Sequence, residues 1–121
     1  ATCSMTTNDA PRAVVAGRNC NAIVVYDGWY ERWRYPAKNG IIQDFTAMAG
    51  TYVAVSGAEG RWLQAVDRTT GEQLWLKRCS SSWYLDTSQE DDGPDTPASQ
   101  SLGAGCNGTT TWLDPTTGAP V

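Results

Sequence analysis

Asp27-Gly28 stands between two β-rich runs, Asn21-Ala22-Ile23-Val24-Val25-Tyr26 and Trp29-Tyr30-Glu31-Arg32-Trp33-Arg34-Tyr35, and restricts the fold more than any other dipeptide in the chain. Asp and Gly tolerate the positive φ of a two-residue hairpin turn, and β-branched and aromatic residues suit its pleated flanks. A hairpin closed on Asp27-Gly28 sets Tyr26 against Trp29, Val24 against Glu31, Ala22 against Trp33 and Cys20 against Tyr35. One face then carries Cys20, Tyr26, Trp29, Trp33 and Tyr35. It belongs to the core, because a half-cystine and four rings are better buried. Tyr30, Arg32 and Arg34 point outward.

The same punctuation recurs along the chain. Thr51–Ser56, Arg61–Val66 and Glu72–Arg78 are strand-like runs separated by Gly57-Ala58-Glu59-Gly60 and Asp67-Arg68-Thr69-Thr70-Gly71, which reads as an antiparallel meander. Val14–Ala16, Ser82–Asp86 and Thr109–Leu113 supply further short strands. Residues 5–12 lack periodicity and read as loop. Gln43–Ala49 is the only stretch suited to a helix, of two turns at most. Residues 87–105 form a long polar loop holding Glu90, Asp91, Asp92 and Asp95. With 121 residues, 12 Gly and six Trp against a single Phe, the expected fold is one all-β domain over residues 1–121. We expect a small antiparallel barrel or sandwich of about six to eight strands.

Cys3, Cys20, Cys79 and Cys106 include no Cys-x-x-Cys pair, and the chain has no histidine, so a zinc site of ordinary spacing is not expected. An even cysteine count in a small chain points to disulfides and an oxidising compartment: secreted, periplasmic or cell-surface. Of the three pairings, Cys3 with Cys20 and Cys79 with Cys106 is favoured, since each pair brackets a turn-rich segment. The start at Ala1-Thr2-Cys3 fits a mature chain without its signal. No apolar run approaches the ~20 residues needed to span a bilayer.

A net charge of −4 offers phosphate or anionic lipid no general attraction, so neither nucleic acid nor membrane is an expected partner. The absent histidine removes the commonest general base. No motif calls for a cofactor. The acidic loop fails the EF-hand spacing, and no metal is expected there. A glycosidase-type carboxylate pair needs no histidine, but thirteen acids single out no pair.

The candidate contact residues are Tyr30, Arg32 and Arg34 on the hairpin, because Tyr and Arg are enriched in binding hot spots, together with Trp62 and Trp83. Trp29, Trp33 and Trp75 are expected to be structural, leaving Trp62, Trp83 and Trp112 for the surface. Trp33-Arg34-Tyr35 resembles the Trp-Arg-Tyr triplet that small α-amylase inhibitors set against their target enzyme. Ala65-Val66-Asp67-Arg68-Thr69-Thr70-Gly71-Glu72-Gln73-Leu74-Trp75 resembles the tryptophan-docking motif of quinoprotein-like β-propellers, roughly Ala-x-Asp-x-x-Thr-Gly-x-x-x-Trp. Leu113-Asp114-Pro115-Thr116-Thr117-Gly118 repeats its centre at about the spacing of one blade. Asp27 with Trp33 makes a looser third copy. The match covers only part of the chain, and a propeller needs at least four blades, so a whole quinoprotein is excluded. Asp-x-x-Thr-Gly is also hairpin chemistry, in which the Asp caps its own backbone.

The expected function is therefore that of a secreted, non-catalytic binding module for carbohydrate or an extracellular protein. An inhibitor of a secreted glycosidase or protease, and a small carboxylate-dependent carbohydrate-active enzyme, are the alternatives.

Overall fold

The computed structural model describes residues 3, 5–9, 12–48, 50–86 and 101–121. Eleven strands run through them: β1 (Met5–Asp9), β2 (Arg12–Val15), β3 (Ala22–Asp27), β4 (Tyr30–Pro36), β5 (Ile42–Met48), β6 (Thr51–Ser56), β7 (Trp62–Asp67), β8 (Gln73–Arg78), β9 (Trp83–Asp86), β10 (Leu102–Cys106) and β11 (Thr109–Leu113). They form three antiparallel meanders, β1-β2-β3-β4, β5-β6-β7-β8 and β9-β10-β11. The all-β class, the antiparallel pairing and both expected disulfides, Cys3–Cys20 and Cys79–Cys106, are present.

The sheets stack like the layers of a sandwich. Val14, Ala16, Ile23 and Val25 of the first sheet meet Tyr52, Ala54 and Val66 of the second in one apolar cluster. The opposite face of the second sheet, with Val53, Val55, Leu63 and Ala65, meets Leu102, Ala104 and Leu113 of the third. The second sheet is thus buried on both faces, which is why all of β6 is inaccessible. Alternation of side chains across the pleat sends consecutive residues of β6 to opposite clusters.

Four expectations change. Gln43–Met48 is strand, not helix: β5 pairs with β6 from Ile42↔Ser56 to Met48↔Thr51, and this pairing overrides the weak helical preference of Phe-Thr-Ala-Met. Met5–Asp9 is strand rather than loop, paired with β2. The strand count accordingly exceeds the six to eight expected. The long loop is shorter at its C-terminal end, since Leu102–Cys106 is β10; Glu90, Asp91, Asp92 and Asp95 lie outside the described residues. The hairpin turn also moves by one position. Asp27 pairs with Tyr30, so Gly28 and Trp29 form the loop, and Gly28 at φ +64° takes the first loop position, where a type II′ turn needs glycine. Trp29, expected in the core, is therefore fully exposed at the tip. A bulge at Arg32 restores the inward direction, setting Trp33 against Val25 and Tyr35 against Ile23.

The Asp-x-x-Thr-Gly segments are turns capped by their own Asp, and each is covered by a tryptophan. Asp67 Oδ1 accepts from the Thr69 and Thr70 amides at 2.7 and 3.0 Å, and Asp114 Oδ1 accepts from Thr116 and Thr117 at 2.7 and 3.3 Å. Each Asp thus caps its own turn, which ends in a glycine of positive φ, Gly71 (+76°) and Gly118 (+74°). A tryptophan of the preceding sheet lies on each glycine. A Cβ on Gly71 would fall 2.8 Å from Trp33 Cγ, and one on Gly118 2.7 Å from Trp75 Cδ2. Trp75 Nε1 also donates to the Pro115 carbonyl at 2.9 Å, and Tyr35 Oη donates to Gln73 Oε1 at 2.8 Å. Each sheet is locked to the next by an indole seated on a turn that no larger residue could occupy.

Candidate functional site

The locks lie towards one end of the sheets, with the β3–β4, β5–β6 and β7–β8 turns. The other end carries the β4–β5 connection, the β6–β7 turn and the β8–β9 connection, together with the Cys79–Cys106 disulfide. Between these segments opens a cleft of about 450 Å³, lined by Asn39, Gly57, Ala58, Glu59, Arg61, Trp62 and Arg78.

The backbone around this cleft is held from beneath. Gln64 and Ser56 are fully buried polar residues on β7 and β6. Gln64 Oε1 accepts from the Lys38 amide at 2.9 Å, Ser56 Oγ donates to the Lys38 carbonyl at 2.6 Å, and Gln64 Nε2 donates to the Ala54 carbonyl at 2.8 Å. Both backbone polar groups of Lys38 are thereby clamped, and its Nζ stands 5.1 Å from the Trp62 ring centroid. Arg78 places its guanidinium carbon 5.9 Å from the same centroid. The backbone beside it is held at Cys79, whose amide donates to the Arg61 carbonyl at 2.8 Å and whose sulfur is in the disulfide. Arg61 pairs with Glu59, and its buried Nε has no partner among the described residues. Lys38 and Arg78 carry no carboxylate partner among those residues. The half-buried Trp62 ring therefore has two cations near its centroid, in a chain whose net charge is −4.

A second surface is the outer face of the third sheet. Here Gly103 lies between Asp86 and Trp112, and Gly105 between Tyr84 and Thr110. The Trp112 ring lies across Gly103, with Cζ3 2.9 Å from where a Cβ would be, and the Tyr84 ring lies across Gly105. Tyr84 Oη and Thr110 Oγ1 share a 2.6 Å hydrogen bond. Tyr84 is 43% exposed. The outer surface therefore presents two rings supported on glycine backbone, with a hydroxyl and a carboxylate beside them.

The five candidate residues do not converge on one site. Tyr30 (72% exposed), Arg32 and Arg34 remain on the hairpin surface. Arg32 pairs with Asp27 at 3.3 Å and Arg34 with Glu31 at 2.9 Å, and the Glu31 hydrogen bond and charge raise the Arg34 pKa above its ordinary value. These arginines are neutralised locally. Trp33 and Tyr35 are turned towards the second sheet, so Trp-Arg-Tyr is not presented as a unit. Trp62 is in the cleft at the other end. Trp83 is half-buried against the cluster between the second and third sheets and forms a wall shared by neighbouring hollows.

Sequence reasoning missed Lys38, Asn39, Arg78, Tyr84 and Asp86. For the last two a signal existed: Leu-Gly-Ala-Gly-Cys places glycine on alternate positions of a strand, which leaves space for cross-strand rings.

No protein-family model and no curated protein matches the chain. Among solved structures it is similar to BamB from Moraxella catarrhalis. The TM-score is 0.63 at 20% identity, over 98% of this chain and 34% of that one. The likeness is one of fold, and the chain spans about a third of the BamB chain's length. The two disulfides fit an oxidising compartment, extracellular or periplasmic.

Proposed function

We propose that the chain is a secreted, non-catalytic carbohydrate-binding module whose contact surface is the outer face of the third sheet. The observation that carries this reading is the pair of rings, Tyr84 and Trp112, lying across Gly105 and Gly103. An aromatic ring held from behind offers a pyranose a surface to stack on with little conformational entropy to lose. Asp86 and Thr110, beside the rings, supply an acceptor and a donor for sugar hydroxyls. The counterpart positions on the second sheet, Val53, Val55, Leu63 and Ala65, are apolar and covered, so the third sheet departs from a stacking surface where it carries these groups.

Tryptophan fluorescence titration with neutral cello-, xylo-, manno- and chito-oligosaccharides tests it. We expect saturable binding to at least one series, weakened tenfold or more by Tyr84→Ala and by Trp112→Ala. No binding across the series, or binding that both variants leave intact, overturns it.

The second reading is a protein contact through the β3–β4 hairpin, an inhibitor of a secreted hydrolase included. It is favoured by Trp29, an indole fully exposed at the loop tip and of a type enriched in hot spots. Trp29→Ala should then abolish one-to-one inhibition of a glycosidase or protease without lowering stability.

A further inference from the structure

We infer that the Trp62 cleft is an anion subsite that receives the carboxylate of an acidic sugar residue, which gives the module a preference for uronic-acid glycans. This rests on the carbohydrate reading above but uses separate residues at the end of the stack.

Lys38 and Arg78 stand 5.1 and 5.9 Å from the centroid of the Trp62 ring; Arg78 is in the lining of the cleft and Lys38 precedes its lining residue Asn39, and neither cation has a carboxylate partner among the described residues. Both side chains are exposed, so an anion brought to the ring meets two positive charges that no carboxylate of the described residues neutralises. The backbone that carries the two cations is also held in place. Lys38 has its amide and carbonyl bound by two fully buried side chains, and Arg78 precedes a half-cystine whose amide is tied to Arg61. Such fixing lowers the entropy lost when a ligand binds.

A carboxylate fits the cleft by its chemistry. The Arg78 guanidinium presents a planar fork suited to two carboxylate oxygens, and Lys38 adds a point charge. Asn39 at the rim carries an amide able to donate to and accept from sugar hydroxyls. The volume, about 450 Å³, is of the size that takes a small ligand. Glu59 is already held by Arg61. Its negative charge in the cleft lining disfavours a ligand with several closely spaced charges and suits one carboxylate per residue.

The test titrates the intact, oxidised protein with trigalacturonate and with its fully methyl-esterified form, which keeps the sugar and removes the charge. The expected result is at least tenfold tighter binding of the acid at low salt, a preference that shrinks as salt screens the charges. Lys38→Ala and Arg78→Ala should each abolish that preference. Both changes are at exposed side chains, and their melting temperatures check folding. Binding of neutral oligosaccharides at Tyr84 and Trp112 should be unaltered in both variants, and its loss there overturns a separate subsite; absence of neutral binding by the unsubstituted protein identifies failure of the carbohydrate reading itself. Equal affinity for acid and ester overturns the subsite, as does an acid preference that survives both substitutions. Tighter binding of an oligoglutamate peptide than of trigalacturonate, lost in the same variants, overturns the assignment to a glycan.

Discussion

Alanine at Gly118 and at Gly108 separates the strain of a left-handed backbone from the space an indole requires. The two glycines have nearly the same conformation, φ +74° and +80°, so each substitution carries the same penalty for a Cβ in that region, about 1–2 kcal/mol. Their surroundings differ. A Cβ on Gly108 meets nothing within 4 Å, whereas one on Gly118 would stand 2.7 Å from Trp75 Cδ2 and 2.8 Å from Cγ. Contacts that close cannot persist, so Trp75 must lift or the turn from Asp114 to Gly118 must move, and the Trp75 Nε1 bond to Pro115 is lost. Full removal of a buried Trp costs about 3–5 kcal/mol, and a buried hydrogen bond about 1. Forfeiting roughly half of that sum adds about 2 kcal/mol to Gly118→Ala. Urea unfolding under non-reducing conditions should therefore show losses of about 1–2 kcal/mol for Gly108→Ala and about 3–4 for Gly118→Ala, equivalent to roughly 8 °C between their melting temperatures. In a Trp75→Leu background the excess at Gly118 should disappear, because the two residues then no longer interact. Equal losses in the wild-type background, or an excess that survives Trp75→Leu, would refute the lock.

Two further predictions concern the scaffold. Burial raises the Tyr35 phenol pKa; the folded state therefore holds this proton more tightly than the unfolded chain, whose tyrosines titrate near about 10. The stability this confers is complete below that pH and is lost as pH rises through the folded value, so Tyr35→Phe should flatten the alkaline decline in unfolding free energy; an unchanged slope would remove Tyr35 as its source. The Cys79–Cys106 bridge spans a sequence separation of 27 and joins the second sheet to the third, and Cys79→Ser with Cys106→Ser should cost about 3–4 kcal/mol in the chain-entropy model. A loss below about 1 kcal/mol in urea titration would mean that the apolar cluster between the sheets and the Trp75 lock hold the third sheet without the bridge.

What could be read in the sequence followed the range of the interaction that determines it. The caps at Asp67 and Asp114 and the disulfides bracketing turn-rich segments are local patterns, and they stand as expected. The β5 strand depends on pairing with β6, and Phe-Thr-Ala-Met does not announce that partner within its own seven residues. The hairpin was located correctly, but Asp27-Gly28 and Gly28-Trp29 both place glycine where positive φ is allowed. The choice between them depends on the bulge at Arg32, which brings Trp33 back to face Gly71 of the next sheet. The observed register, in which Trp33 meets that distant glycine, leaves Trp29 at the exposed tip.

The candidate sites were legible only in fragments for the same reason. Trp62 drew notice as an aromatic residue, but its significance comes from Lys38 and Arg78, which the β4–β5 connection and the end of β8 bring to it. Lys38 is held there by Gln64, a residue that in sequence looks like an ordinary polar position in an alternating strand. A buried glutamine among apolar neighbours is costly unless its amide is satisfied. Here it is satisfied by the backbone of the segment that carries the cation, so the polar group that weakens the apolar core of the second sheet is the one that fixes the backbone of Lys38 beside Trp62. By the same logic, the glycines of β10 give up aliphatic packing on the outer face of the third sheet and leave the space that Tyr84 and Trp112 occupy.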